Sequence, residues 1–379
     1  MKKMLVPILF FLPTVLAFSA QDKTEFKTIN GVPHAFNPAK PLHGTIAVEV
    51  ERTRTINPYD QPEVGMKWMF FSRDETGNVI LYDPNYAEGH RFGPDGKYLG
   101  LLTKIGQGPG EFSTQQGYHV SFLKSDIWVY GGRKAARLDG NGIYREERLL
   151  KSSYYGGLEG GDFFTEDTKW NENKVSTRTL KFIRCAMSGE EQTVDLLQAE
   201  NIGMIRNPSG NGGFSDSWGT PGFFYSGDPN SKRIYCGLHT EYLIRVKDYQ
   251  GKDLLFIRKP YEYVKVGRAD VGKLIPWALK EERSKWILSA YPDRLIAIKE
   301  VLPLPKGHLA VYRVSGIQKV EIDVFDAQGR YLYVLAFSSD LNTDNLKFLP
   351  FGFATIEPSG DYSVYREYRI KNLPEIFGR

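Results

Sequence analysis

The chain has 379 residues, 13% of them aromatic, and sets 49 lysines and arginines against 45 aspartates and glutamates. The length allows two ordinary domains or one toroidal domain, and 22 Tyr with 23 Phe favour many short strands over a helical bundle. A formal charge of +4, about +2 without Lys2 and Lys3, is too small and too dispersed to point to nucleic acid.

Residues 1–20 have a short basic start, an apolar run from Met4 to Phe18 broken by Pro13, and small residues near the end. That is the form of a secretory signal peptide, and the run is too short to span a membrane. Cleavage fits after Ala17 or Ala20, and no cysteine follows for lipid attachment. The mature chain is therefore expected in the periplasm or outside the cell, without a membrane span. Cys185 and Cys236 could pair there, or each could be buried within its strand; two cysteines alone make no metal site.

Residues 21–42 are polar, weakly patterned and carry Pro33, Pro38 and Pro41, which predicts a wrapped or flexible lead-in. The alternating run 45–51 reads as a strand. Residues 65–73 read as an inner strand leading into the turn 74–78. Next comes Gly77-Asn78-Val79-Ile80-Leu81-Tyr82-Asp83, and then a strand, a Pro94-Asp95-Gly96 turn and another strand.

Variants of this hairpin recur. Residues 136–144, 242–252 and 320–332 repeat a strand, a glycine turn and a strand, and 180–189 is a weaker copy. The anchors Gly96, Gly142, Gly189, Gly251 and Gly329 are 46, 47, 62 and 78 residues apart. The first two intervals match a propeller blade of four strands, and the longer ones imply insertions. A second anchor, a polar turn opening a strand, falls at Ser125-Asp126, Lys232-Arg233, Lys306-Gly307 and Ser359-Gly360. The last copy has no outer strand after it, so the run 45–51 is expected to supply one and close a six-bladed ring.

Between these units lie four irregular stretches. Gly106-Gln107-Gly108-Pro109-Gly110-Glu111-Phe112 lacks the Lys-Ser/Thr pair of a phosphate-binding loop, and reads as a tight link between blades anchored by Phe112. Residues 151–176 should hold a long loop and an irregular inner strand of the third blade, and 207–222 a second loop. Residues 269–290 break the β pattern, with Leu274, Trp277, Ala278, Glu281 and Trp286 roughly on one side of a helical insertion.

Chemistry is sparsely marked. The six histidines show no helix-borne metal spacing, and neither His-Glu-x-x-His nor Gly-x-Ser-x-Gly occurs. His119 stands out because it falls at the start of an inner strand that faces the central channel. Arg133, Arg245 and Arg366, from three units, could place basic groups around a face or channel to hold an anionic saccharide or a peptide carboxylate. Asp83, Asp139, Glu241, Asp323 and Glu367 could converge as acids or calcium ligands, but read more economically as turn acceptors. No residue is assigned a catalytic role and no cofactor is expected.

The residues 77–83, 92–97, 106–112 and 324–331 together resemble the bacterial exported six-bladed β-propellers related to NHL-repeat proteins, over about residues 43–370. The resemblance implies ligands bound at one face or in the central channel. The division expected is a signal peptide at 1–20, a lead-in at 21–42, a propeller at 43–373 with its helical insertion, and a tail at 374–379. The function expected is an exported binding or interaction scaffold for an envelope or extracellular protein, a peptide or a saccharide. The alternative is a metal-dependent lyase or hydrolase with calcium or zinc in the channel. Metal content and oligomeric state have no sequence signature here.

Overall fold

In the computed structural model, successive hairpins stack as six antiparallel blades. It describes residues 23–372 except 62–65, 67–68, 114–117, 124–125, 152–155, 158–161, 172–175, 186–189, 207–212, 216–217, 281–284, 339–340, 342–345, 350–351 and 361. The segment 1–20 expected as a signal peptide, Gly189, Glu281 and the tail expected at 374–379 lie outside the described residues, as do the side chains of Cys185 and Trp277.

The first blade is Phe70–Arg73, Val79–Asp83, Glu88–Phe92 and Tyr98–Thr103. The second is Tyr118–Leu123, Asp126–Gly131, Lys134–Leu138 and Tyr144–Leu149. In the third, the two-residue inner strand Gly156–Gly157 precedes the long strands Phe163–Trp170, Ser176–Cys185 and Glu191–Glu200. The fourth is Phe223–Asp228, Arg233–Leu238, Leu243–Asp248 and Asp253–Arg258. The fifth is Ile298–Pro303, Leu309–Gly316, Lys319–Phe325 and Tyr331–Ala336. The sixth has Lys347–Leu349, Gly352–Ser359 and Tyr362–Ile370, and takes its fourth strand from the start of the chain.

That strand is Val50–Ile56, antiparallel to Tyr362–Ile370 with Ile56 opposite Tyr365 and Val50 opposite Ile370. The expected donor was the run 45–51, and only its last two residues take part. Thr45–Ala47 instead lies parallel to the outer strand of the fifth blade, with Ile46 opposite Leu335. The lead-in is also more ordered than its composition suggests. Glu25–Ile29 and Val32–Phe36 form a hairpin whose second strand runs parallel to Asp253–Arg258 and extends the fourth blade to six strands. Asn37 fastens it, accepting from Tyr331 N at 2.9 Å and donating to Gly329 O at 2.9 Å.

A blade alone cannot bury its two faces, so the apolar residues gather between blades. The described residues form six clusters, one for each neighbouring pair, including sixth to first through Ile356, Tyr365, Phe71 and Leu81. Phe112, in the glycine-rich link, is buried in the cluster between the first and second blades. The N–H of Gly108 is taken by Glu111 at 2.9 Å, and Lys134 holds the Gly108 carbonyl at 3.0 Å, so the loop binds itself as a tight link would.

The repeat has a shared turn. Asp139 and Asp326 follow a third strand and Asp248 ends one, and each Oδ1 accepts from the N–H groups two and four residues on, at 2.9 to 3.0 Å. The glycine three residues after each aspartate has a φ of 79 to 84°. Such a carboxylate turn needs a left-handed residue to bring the next strand back, which explains the recurring Asp-x-x-Gly.

The insertion between the fourth and fifth blades is three short helices, Arg268–Leu274, Pro276–Lys280 and Lys285–Ala290, where one helical stretch was expected. Ile275 ends the first, and Pro276, which lacks an N–H, opens the second. Val271, Ile275, Ala278 and Ile287 are buried against the fifth and sixth blades, with Leu274 and Trp286 packed partly against the same cluster.

Ring closure has an ionic lock. Glu367, on the third strand of the sixth blade, pairs with Arg54 of the donated strand at 2.7 Å and with Arg73 of the first blade at 3.1 Å. Glu367→Leu leaves two poorly exposed guanidinium groups without this carboxylate, at a cost of about 3–5 kcal/mol. Glu25→Ala removes the exposed pair with Lys27 and costs under about 1 kcal/mol. Urea unfolding of both variants checks the contrast, and similar midpoints would refute the lock. Gly329 gives a second test. A Cβ there meets Ile257 Cγ1 at 2.9 Å, whereas Gly44, at a nearly equal φ, has nothing within 4 Å. Gly44→Ala should lose about 1–2 kcal/mol for the backbone alone. Gly329→Ala should lose about 1–3 kcal/mol more for the overlap, by the same measurement.

Candidate functional site

The inner strands leave a cavity of about 250 Å³ in the central channel. Its wall is Met69, Phe70, Phe71, Tyr82, His119, Glu300, Leu346, Lys347 and Ile356, drawn from the first, second, fifth and sixth blades and the segments beside them. Most of the wall is apolar or aromatic, and Phe70 stacks on Tyr82 with ring centroids 5.8 Å apart. Two formal charges of opposite sign stand in it, Glu300 and Lys347.

Glu300 is placed by a local irregularity. The fifth blade's inner strand slips register between Ile298 and Glu300, the behaviour of a β-bulge, which re-aims side chains. Lys299 consequently lies over the Trp218 ring at 4.3 Å, while Glu300 lines the cavity. Lys347 opens the three-residue inner strand of the sixth blade and reaches across to the first. Its Nζ donates to the Phe71 carbonyl at 3.1 Å and lies 5.1 Å from the centre of the Phe71 ring.

The electrostatics follow from this enclosure. Burial pushes the Glu300 carboxyl above its ordinary range, with Lys347 and then Lys299 pulling the other way. The Lys347 ammonium is held below its ordinary value by burial, and Glu300 opposes that. Lys347 keeps exposed surface where it lines the cavity. Glu300 and Lys347 feel each other without forming a direct ion pair, and no described group hydrogen-bonds the Glu300 carboxylate.

His119 is a fixed, neutral part of the wall. Its Nδ1 meets the Tyr82 hydroxyl at 2.9 Å and its Nε2 meets Ser121 Oγ at 3.1 Å. Burial first, and then the charge on Lys347, push its pKa down to about 3. Of the four residues singled out from sequence, His119 alone lines the cavity. Arg133 is exposed at the turn between the second and third strands of the second blade, and donates to Leu150 O at 3.1 Å. Arg245 lies over the Phe256 ring at 5.8 Å on the fourth blade. Arg366, on the sixth, pairs with Glu357.

The carboxylates are absorbed by structure. Asp139 is a turn acceptor, and Asp83 accepts from Asn85 N at 2.9 Å. Asp323, fully buried, is held by Tyr242, by Lys259 at 2.8 Å, by Tyr331 at 2.7 Å and by Arg313 at 3.1 Å, tying the fourth blade to the fifth. Cys236 is a free, buried thiol whose pKa burial raises to about 12, the state of a packed residue rather than a nucleophile. Among the described residues no three His, Cys, Asp or Glu side chains gather as a metal-ligand set. No described helix is long and apolar enough to cross a membrane.

Glu300 and Lys347 escaped the sequence reading. The signal available was a charged residue inside a short run otherwise fit for an inner strand, Ile298–Pro303 and Lys347–Leu349, immediately before a stronger second strand.

No protein-family model matches the chain, and no curated protein sequence does. Solved structures match in chain course. A member of the DUF4221 family from Bacteroides vulgatus is 12% identical, with a TM-score of 0.48 over 86% of this chain and 99% of that one. A candidate exported protein from Bacteroides fragilis is 12% identical, with a TM-score of 0.42 over 87% and 98%. A gluconolactonase from Xanthomonas campestris is also 12% identical, with a TM-score of 0.38 over 88% and 98%.

The low pKa of His119 has a signed consequence. With a folded value of about 3 against 6.5 unfolded, the unfolded chain binds more protons between those limits. The stability His119 allows is fully present above about pH 6.5 and falls as the pH drops through that window. From pH 6.5 to 5 the loss approaches about 2 kcal/mol at roughly 1.4 kcal/mol per unit. His119→Gln keeps a polar side chain and removes the titration, so its unfolding free energy should fall less than the wild type's over that interval. Parallel curves would refute it.

Proposed function

We propose that this chain is an exported binding propeller that takes a small polar ligand into its central channel. The observation that carries the reading is Glu300: a carboxylate enclosed in the cavity wall, with no described hydrogen-bond donor and a lysine nearby that does not pair with it. Glu300 is half-buried, and a charge set in a largely apolar wall without a partner is costly, so a ligand that supplies the missing contacts explains it best. The aromatic and aliphatic wall around it gives such a ligand an apolar bed.

The leader at 1–20, with cleavage after Ala17 or Ala20, supports export to the periplasm or beyond, and 43–373 serves as the propeller body. Kinship to NHL-repeat propellers is part of the same proposal and rests on the motifs at 77–83, 92–97, 106–112 and 324–331. His119 belongs to the channel as a wall residue. Arg133, Arg245 and Arg366 stay outside this channel reading. A metal-dependent lyase or hydrolase would need a ligand set that the described residues do not assemble.

A thermal-shift screen of the mature protein against a library of small polar metabolites tests this. Ligands should raise the Tm of the wild type by several degrees and fail to do so for the double variant Glu300→Gln/Lys347→Met. Hits that shift both proteins equally would refute the channel as the binding site.

A further inference from the structure

We infer that the ligand of the channel is a small zwitterion with an apolar group, the chemistry of a free amino acid such as phenylalanine or leucine. This rests on the channel reading above and names the class of molecule that the site takes. The carrying observation is that Glu300 and Lys347 line one cavity, feel each other's charge and do not pair. A purely anionic ligand would satisfy Lys347 and bring a second negative charge beside Glu300. A purely cationic one would do the reverse. A molecule with both an ammonium and a carboxylate satisfies both, each through a charge-assisted hydrogen bond.

The donor inventory agrees. Lys347 has three N–H groups and spends one on the Phe71 carbonyl, which fixes its head and leaves donors for a carboxylate. The ionised Glu300 is acceptor-only, so the group that meets it must donate, as an ammonium does. His119 adds no formal charge to this balance, because it is held neutral between Tyr82 and Ser121. The remainder of the wall, Met69, Phe70, Leu346 and Ile356, offers apolar contact to a side chain. The volume, about 250 Å³, lies just under the usual range of about 300–1,000 Å³ for small-molecule pockets, which favours a single amino acid over a longer chain.

Titration calorimetry on the full mature chain decides the class, with L-phenylalanine, L-leucine, phenethylamine and 3-phenylpropionate as probes. At least one of the two amino acids should bind, and L-phenylalanine at least roughly tenfold more tightly than either analogue that carries one of its charges. Glu300→Gln should weaken the amino acid and the amine while sparing the acid. Lys347→Met should weaken the amino acid and the acid while sparing the amine. Cooperative melting at or above the wild-type temperature shows that both variants are folded. Equal binding of 3-phenylpropionate and L-phenylalanine, or no loss of amino-acid binding in Glu300→Gln, would overturn the zwitterion. So would silence from both amino acids up to about 10 mM. The two readings separate: if the metabolite screen still yields channel-dependent hits of another class, only the zwitterion falls. If no hit depends on the channel, both fall.

Discussion

The fold depends on closing a circle. Each blade is a small twisted sheet with two faces to bury and no partner except its neighbours, so an open arc would leave one apolar face at each end in water. Here the two ends meet through Val50–Ile56, which completes the last blade, and through Glu367, which reaches both Arg54 on that strand and Arg73 on the first blade. The start and end of the propeller are thus joined by backbone hydrogen bonds and a low-exposure ion cluster. The cost of taking three charges from water is offset because one carboxylate faces two guanidinium groups and also accepts from Tyr365 at 2.7 Å.

The same chain start that closes the ring also reinforces it. Before reaching the sixth blade, it adds a hairpin to the fourth and a short parallel strand to the fifth, so three successive blades are capped on their outer edges by residues 25–56. Outer strands are the exposed edges of a propeller, and covering them removes unpaired backbone groups that invite aggregation. Asn37 is the joint of this strap, because its one side chain serves the backbone at both Gly329 and Tyr331.

Much of this architecture was legible in the residues, because it is written in local chemistry. The turns at Asp139, Asp248 and Asp326 use one carboxylate and one left-handed glycine, and such turns keep their spacing wherever a blade recurs. The existence of a donated strand followed from counting outer strands. Its position did not, because both 45–51 and 50–56 alternate and only tertiary pairing chooses between them. The hairpin at 25–36 was hidden for a related reason: its partner is a strand more than two hundred residues away. The single helical stretch is first broken at Ile275-Pro276, where the residue before a proline leaves helical backbone angles. His119 was found because strand phase points the start of a second inner strand at the channel. Glu300 was not, since its orientation comes from a bulge, and a bulge inverts the phase from which inward and outward are read.

The contrast between Glu300 and two buried carboxylates, Asp323 and Glu367, separates architecture from the candidate site in this molecule. Asp323 and Glu367 are both deep between strands, and each meets at least three donors. That is what selection for stability alone leaves behind, because an unsatisfied buried charge is worse than an apolar residue of the same size. Glu300 departs from this pattern beside the channel cavity. Its carboxylate lines the cavity wall with no described donor, and the nearest cation is turned to a backbone carbonyl instead. A chain that satisfies Asp323 and Glu367 so fully, yet leaves Glu300 open beside a lysine, holds that carboxylate ready for a donor that arrives from solution.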